Sequence, residues 1–137
     1  EIEEEIERDF NHPSLIGWCP YNETWDVNGR KQDDDVIRIV YRTVKNLDKT
    51  RPCIDTSGNY HVVTDIYDVH DYEQRPEIFK ENYDKLFTEG TLFDKVNSAR
   101  VRQTWRGEPV FLSEYGSRIP SGLAIRKLFC LYPPDGS

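Results

Sequence analysis

Methionine is absent from the sequence, histidine occurs only three times, and cysteine occurs only three times, at positions 19, 53 and 130. Cysteines so few and so widely spaced form no CxxC or Cys/His ligand pattern, which excludes a zinc module or a disulfide framework and leaves buried free thiols as the expectation. Long apolar runs are also missing. The longest span a few residues, against the roughly 20 needed to cross a bilayer, so no membrane segment is expected. Clustered Lys and Arg are lacking too. The formal charge is −7, with 25 acidic against 18 basic residues, the balance of a polar surface and not of a nucleic-acid binder. No internal repeat or low-complexity tract is visible. The opening EIEEEIERDF is acidic where a secretory signal would be basic and then apolar. With no initiator methionine, the 137 residues read as one domain-sized piece of something longer, and the compartment is not legible.

What is present alternates. Ile2, Ile6 and Phe10 recur at spacing four and put one apolar face on an opening helix, which should stop before Asn11-His12-Pro13 because the residue before proline leaves the α region. Leu15 to Pro20 reads as a short buried strand ending near Asn22-Glu23. An Asn-Gly turn signal follows. Asp33 to Asp35 then form an acidic helix start, and apolar positions from Val36 to Leu47 carry an amphipathic helix. Cys53 to Thr56 reads as a strand closed by Gly58. Val62 to Tyr72 reads as another, with Asp68, His70 and Tyr72 on one face by period two. A helix is expected from Pro76 to Phe87, proline suiting its first turn. The segment from Leu92 to Trp105 has helical character, and Val110 to Leu112 forms a last buried strand ending in Ser113-Glu114. The tail Gly122–Leu131 again has helical spacing before a loop-like end. Short continuous apolar strands alternating with helices predict an α/β fold with a parallel sheet.

Two strands end alike. LIGWCPYNE and PVFLSEYG each leave a glutamate just beyond an apolar run, Glu23 and Glu114, and reactive groups of parallel α/β folds gather at the carboxyl ends of strands. Two carboxylates meeting across a pocket equip glycoside hydrolysis: one protonates the leaving oxygen and the other attacks or activates water. Trp18, Tyr21, Trp25 and Tyr115 stand nearby as candidate sugar-stacking faces. A strand-end glutamate taken alone is more often structural or solvated, so the pair carries the argument. His12 and Asn11 read as residues fixing the strand entry, Trp105 as packing, and Trp25 as either a sugar platform or a loop anchor.

Three stretches match a known pattern. RDFNHPSLIGWCPYNE resembles the acid/base signature of glycoside hydrolase family two, the β-galactosidase, β-glucuronidase and β-mannosidase group. LDKTRPCIDTSG is similar to the next strand of that family, with its Thr-Arg-Pro entry and Ser-Gly exit, and EPVFLSEYG is similar to its nucleophile strand. The resemblance implies a partial (β/α)8 TIM barrel holding about strands four to seven with their helices, residues 1–137 being the C-terminal part of the catalytic domain and 117–137 a poorly matched tail. It further implies retaining hydrolysis of a β-glycosidic bond, β-galactosidase-like, on an oligosaccharide or glycoside substrate, and the sequence seen requires no cofactor. Carried onto this chain, Glu23 is the acid/base and Glu114 the nucleophile. Asn22 meets the sugar 2-hydroxyl, Tyr72 is the tyrosine beside the nucleophile, and His70 and Trp25 line the pocket. A whole barrel takes about 250 residues, so a half barrel is expected to expose sheet edges and to self-associate.

Two rival readings come from the same residues. Asp68-x-His70 opens many metal-dependent phosphoesterase sites, but such sites need further Asp, Asn and His ligands. A non-catalytic carbohydrate-binding domain would keep the aromatics and have no use for both Glu23 and Glu114.

Overall fold

The computed structural model of the chain describes residues 1–24, 31–58, 60–90, 92 and 102–116, together with the backbone of 129–131. Helix α1 spans Ile2–Asp9. It ends where the proline rule places the break, in a turn that His12 closes by donating its backbone N–H to the Asp9 carbonyl. Helix α2, Asp34–Leu47, starts on Asp33, whose carboxylate accepts from the Asp35 and Val36 amides. This is an N-cap, and it assigns the acidic run a structural task. Strand β1 is Tyr67–Asp71, helix α3 is Pro76–Thr88, strand β2 is Val110–Tyr115 and strand β3 is Phe129–Leu131.

Two parallel pairings order the chain. Trp18 bridges Cys53 and Asn22 bridges Ser57, so the first two extended segments run side by side in one direction. Strands β1 and β2 form the second pair, also parallel. The described segments ending at Glu23, Ser57, Asp71 and Tyr115 thus come together with their carboxyl ends on one side.

The core under these strands is built from α1 and α2. Ile6, Trp18, Val44 and Cys53 form one buried cluster, with Ile2, Leu15 and Tyr41 packed against it. Trp18 turns its indole N–H onto the Asp48 carboxylate, at 2.9 Å. Arg51 joins three segments: its guanidinium donates to the Leu15 carbonyl, the Phe10 carbonyl and Asp48, and lies over the Phe10 ring. The Thr-Arg-Pro entry of this strand is therefore a structural staple, because Thr50 donates to the same Asp48 through both backbone and hydroxyl.

Five expectations need correction. Trp18 is buried against α1 and α2, because strand alternation turns it toward the helices, so it is no sugar platform. Cys19, its neighbour on the other side of the strand, is exposed, while Cys53 is buried. Residues 62–66 are not strand, the Val62 and Val63 amides donating to Asp55, and Gln103 to Trp105 are not helical. In the tail, Phe129–Leu131 is a strand pairing antiparallel with β2, where helical spacing and a parallel sheet were expected. Pairing to a neighbouring strand overrides the weak local pattern there. Residues 93–101, most of the expected helix after Leu92, lie outside the described residues.

Candidate active site

The site begins with an irregularity in the sheet. Val69 pairs with Leu112, but His70 pairs with Glu114, so Ser113 is an extra residue on β2. Without it, period two would turn Glu114 away from the face shared by Ser113 and Asp68. The bulge reverses the phase, and Ser113 and Glu114 both reach that face. Ser113 Oγ lies 3.3 Å from Ser57 Oγ, and Glu114 accepts a hydrogen bond from the Tyr72 hydroxyl.

Glu23 arrives by another device. It has φ +49°, and no other non-glycine residue among those described has a positive φ. A side chain in the left-handed region costs on the order of 1 kcal/mol and is kept where its surroundings demand it. Here the Glu23 amide donates to the Ser57 carbonyl at 3.0 Å, and the Ser57 amide to the Tyr21 carbonyl at 2.9 Å. These bonds hold the strand end while the backbone turns the carboxylate inward.

The two carboxylates meet at an imidazole. His70 Nδ1 lies 3.0 Å from Glu23 Oε1 and 3.9 Å from Glu114 Oε2, and the three ligand atoms all fall within 4.8 Å of one another. The His70 side chain is only 2% exposed, against 36% for Glu23 and 20% for Glu114. The carboxylates therefore face open space while the ring backs them. Gly58, at φ +67°, makes room for that ring: a Cβ there would lie 2.1 Å from His70 Nδ1.

Behind the imidazole stands a buried polar network. His70 Nε2 is 3.0 Å from Ser57 Oγ and 3.7 Å from Asp68 Oδ1. Asp68 Oδ1 also accepts from Ser57 Oγ and the Gly58 amide. Burial pushes the Asp68 carboxyl above its ordinary pKa, against the pull of its hydroxyl donors, the His70 charge and the Gly58 amide. One layer deeper, fully buried His61 contacts Asp55 Oδ1 through Nδ1 at 2.6 Å and the Asp68 carbonyl through Nε2 at 2.8 Å. Asp55 raises the His61 pKa despite the opposing cost of burying a charge.

Of the residues singled out from sequence, Glu23, His70, Tyr72 and Glu114 come together at this point. Asn22 lies beside them on the strand end with its side chain exposed. Trp25 lies outside the described residues. Tyr115 faces the other way and joins Phe79, Tyr83, Phe87 and Leu112 around an apolar cavity of about 470 Å³ beside α3. In the sequence, Ser57 and Gly58 read only as a strand exit and Asp68 only as a rival metal ligand. Their common signal is the Ser-Gly pair one strand away from Asp-x-His, legible once the two segments are known to be neighbours. Glu23, His70 and Glu114 are also the one group of three donors among the described residues close enough to share a cation, and Asp68 joins no such group. The Asp68 oxygen nearest His70, Oδ1, is engaged by Ser57 and Gly58.

Paired carboxylates at strand ends are the equipment that glycoside hydrolases use. The model of glycosyl hydrolases family 2, TIM barrel domain, matches residues 1–129, and the chain belongs to that family. No curated protein matches the chain significantly.

Proposed function

We propose that the chain carries the acid/base and the nucleophile of a retaining β-glycosidase, on what correspond to strands four and seven of the barrel. The observation that carries this reading is the convergence of Glu23 and Glu114 on His70, with all ligand atoms within 4.8 Å. Retaining pairs stand about 5–5.5 Å apart, whereas inverting pairs leave roughly 6.5–9.5 Å for a water.

Glu114 is the nucleophile. The Tyr72 hydroxyl donates to one of its oxygens and so orients the attacking carboxylate. In the first step a Glu114 oxygen forms a bond to the anomeric carbon, and the electron pair of the breaking glycosidic bond goes to the leaving oxygen. Glu23 supplies that oxygen with a proton, and it departs as an alcohol. In the second step Glu23 takes a proton from water, the water oxygen bonds to the anomeric carbon, and the ester bond to Glu114 breaks to restore the carboxylate. Asn22 and Trp25 contact the sugar, and β-galactosides are the first substrates to try.

The experiment is trapping. A 2-deoxy-2-fluoro β-glycosyl fluoride of the cleaved sugar slows the second step, and peptide mass spectrometry should then find one sugar ester, on Glu114. An adduct on another residue in an active enzyme would reject the assignment.

A further inference from the structure

The proposed acid needs a proton at the right place, and the network behind it shows how one is kept there. The Ser57 hydroxyl has a single hydrogen, which it gives to Asp68 Oδ1 at 2.9 Å. Its 3.0 Å contact with His70 Nε2 is then one in which Ser57 accepts and the imidazole donates. Nε2 therefore carries a hydrogen. On the opposite edge of the ring, Nδ1 stands 3.0 Å from Glu23 Oε1. Two bare lone pairs do not sit at that distance, so one proton lies between these atoms, on the nitrogen or on the oxygen.

We infer that Ser57 and Asp68 are positioning residues that commit His70 Nε2–H inward and thereby reserve one proton on the His70–Glu23 contact for the glycosidic oxygen. The inference rests on the assignment of Glu23 as acid/base and names what serves it. The supports of the relay agree with such a task. Asp68 is fixed through its backbone, because His61 Nε2 lies 2.8 Å from its carbonyl oxygen. The Gly58 amide donates to Asp68 Oδ1 at 2.7 Å, and the same glycine leaves space for the ring. Glu23, Ser57 and the Asp68–His70 pair come from three different segments, so the relay exists only when these are assembled.

In the glycosylation step the reserved proton passes through Glu23 to the leaving oxygen. The His70–Glu23 pair then holds one proton fewer, and water returns it when the Glu114 ester is hydrolysed. The reaction consumes no further reactant.

Two measurements test this. In long-range ¹H–¹⁵N spectra of the ¹⁵N-histidine-labelled protein, His70 Nε2 should carry a hydrogen, and Ser57→Ala should release that preference. A bare Nε2 in the unaltered protein would overturn the inference without any variant. The second measurement compares kcat/KM, which reports only the first step, for an alkyl and a dinitrophenyl β-glycoside of the same sugar in the intact enzyme. Acid catalysis is worth about 10²–10⁴ in rate, and the alkyl leaving group needs it while the dinitrophenyl group does not. Ser57→Ala and Asp68→Asn should lower kcat/KM about 10- to 100-fold for the alkyl substrate and less than about threefold for the dinitrophenyl one. Equal losses on both substrates would mean a merely structural role and overturn the inference. Should Asp68→Asn fail to fold, Ser57→Ala and the spectrum of the unaltered protein still decide. Glu23→Gln separates the two levels: if it hydrolyses the alkyl glycoside normally, the acid/base assignment itself has failed.

Discussion

Replacing Gly58 by alanine perturbs the site through one methyl group, and the structure sets the size of the effect. The backbone there has φ +67°, and a Cβ in the left-handed region costs about 1–2 kcal/mol by itself. The new atom would also lie 2.1, 2.2 and 2.3 Å from three atoms of the His70 ring, where real Cβ contacts stay above 3.0 Å. The ring must therefore retreat by roughly an ångström, and with it go the 3.0 Å contacts to Ser57 and Glu23. At about 1 kcal/mol for each hydrogen bond, the whole cost comes to about 3–4 kcal/mol of stability. Misplacement of an oriented group by an ångström lowers rate about 10²-fold. The assay is a double-mutant cycle followed by urea unfolding and by kcat/KM. In a His70→Ala background, Gly58→Ala should cost only the backbone share of about 1–2 kcal/mol. An equal cost in both backgrounds, or full activity of the single variant, would refute the reasoning.

Other expectations follow from the supports of the site. Asp48→Ala removes the acceptor of Trp18, Thr50 and Arg51 together, and unfolding should lose about 3 kcal/mol, read as a lower urea midpoint at constant slope. Burial alone would raise the Asp48 pKa, but the donors from Thr50, Trp18 and Arg51 outweigh it and hold the carboxyl far below its usual range. Its stabilisation is then complete above pH ~3.9 and lost as pH falls through the folded value, so wild type and Asp48→Asn should converge in strong acid. His61 has the opposite sign. Asp55 raises it, so its contribution is complete below pH ~6.5 and lost as pH rises through its folded value. The Tm advantage over His61→Gln should therefore shrink on the alkaline side. Burial pushes the Cys53 thiol up to about 12, while Cys19 is exposed and donates its thiol to the Tyr21 carbonyl. In native protein at pH ~8, mass-mapped alkylation should modify Cys19 slowly and Cys53 only after unfolding.

The helices were largely legible because their signals are local. Asp33 caps α2, Pro76 opens α3 and Asn11-His12-Pro13 closes α1, each within a few residues. The strand-end glutamates were legible for a similar reason, since an apolar run that stops at a carboxylate is visible in the sequence alone. Glu114 nevertheless faces the site only because Ser113 is a bulge, and that depends on a register with β1, some forty residues away. The fate of Trp18 was hidden likewise: whether it stacks on a sugar or packs on Val44 depends on which side of the strand α2 covers. The same holds for Ser57, Gly58 and Asp68, whose shared carboxylate becomes visible only once two strands lie side by side. The direction of β3 is a further pairing choice that helical spacing in the tail does not report.

The proposed function requires Glu23 and Glu114 to act as a retaining pair. Proton NMR of the anomeric signals during the first minutes of hydrolysis reads this directly, before mutarotation scrambles the product. A retaining pair releases the β-anomer of the sugar first from a β-glycoside. The α-anomer appearing first would mean inversion, and the placement of the two carboxylates around His70 would then need another explanation.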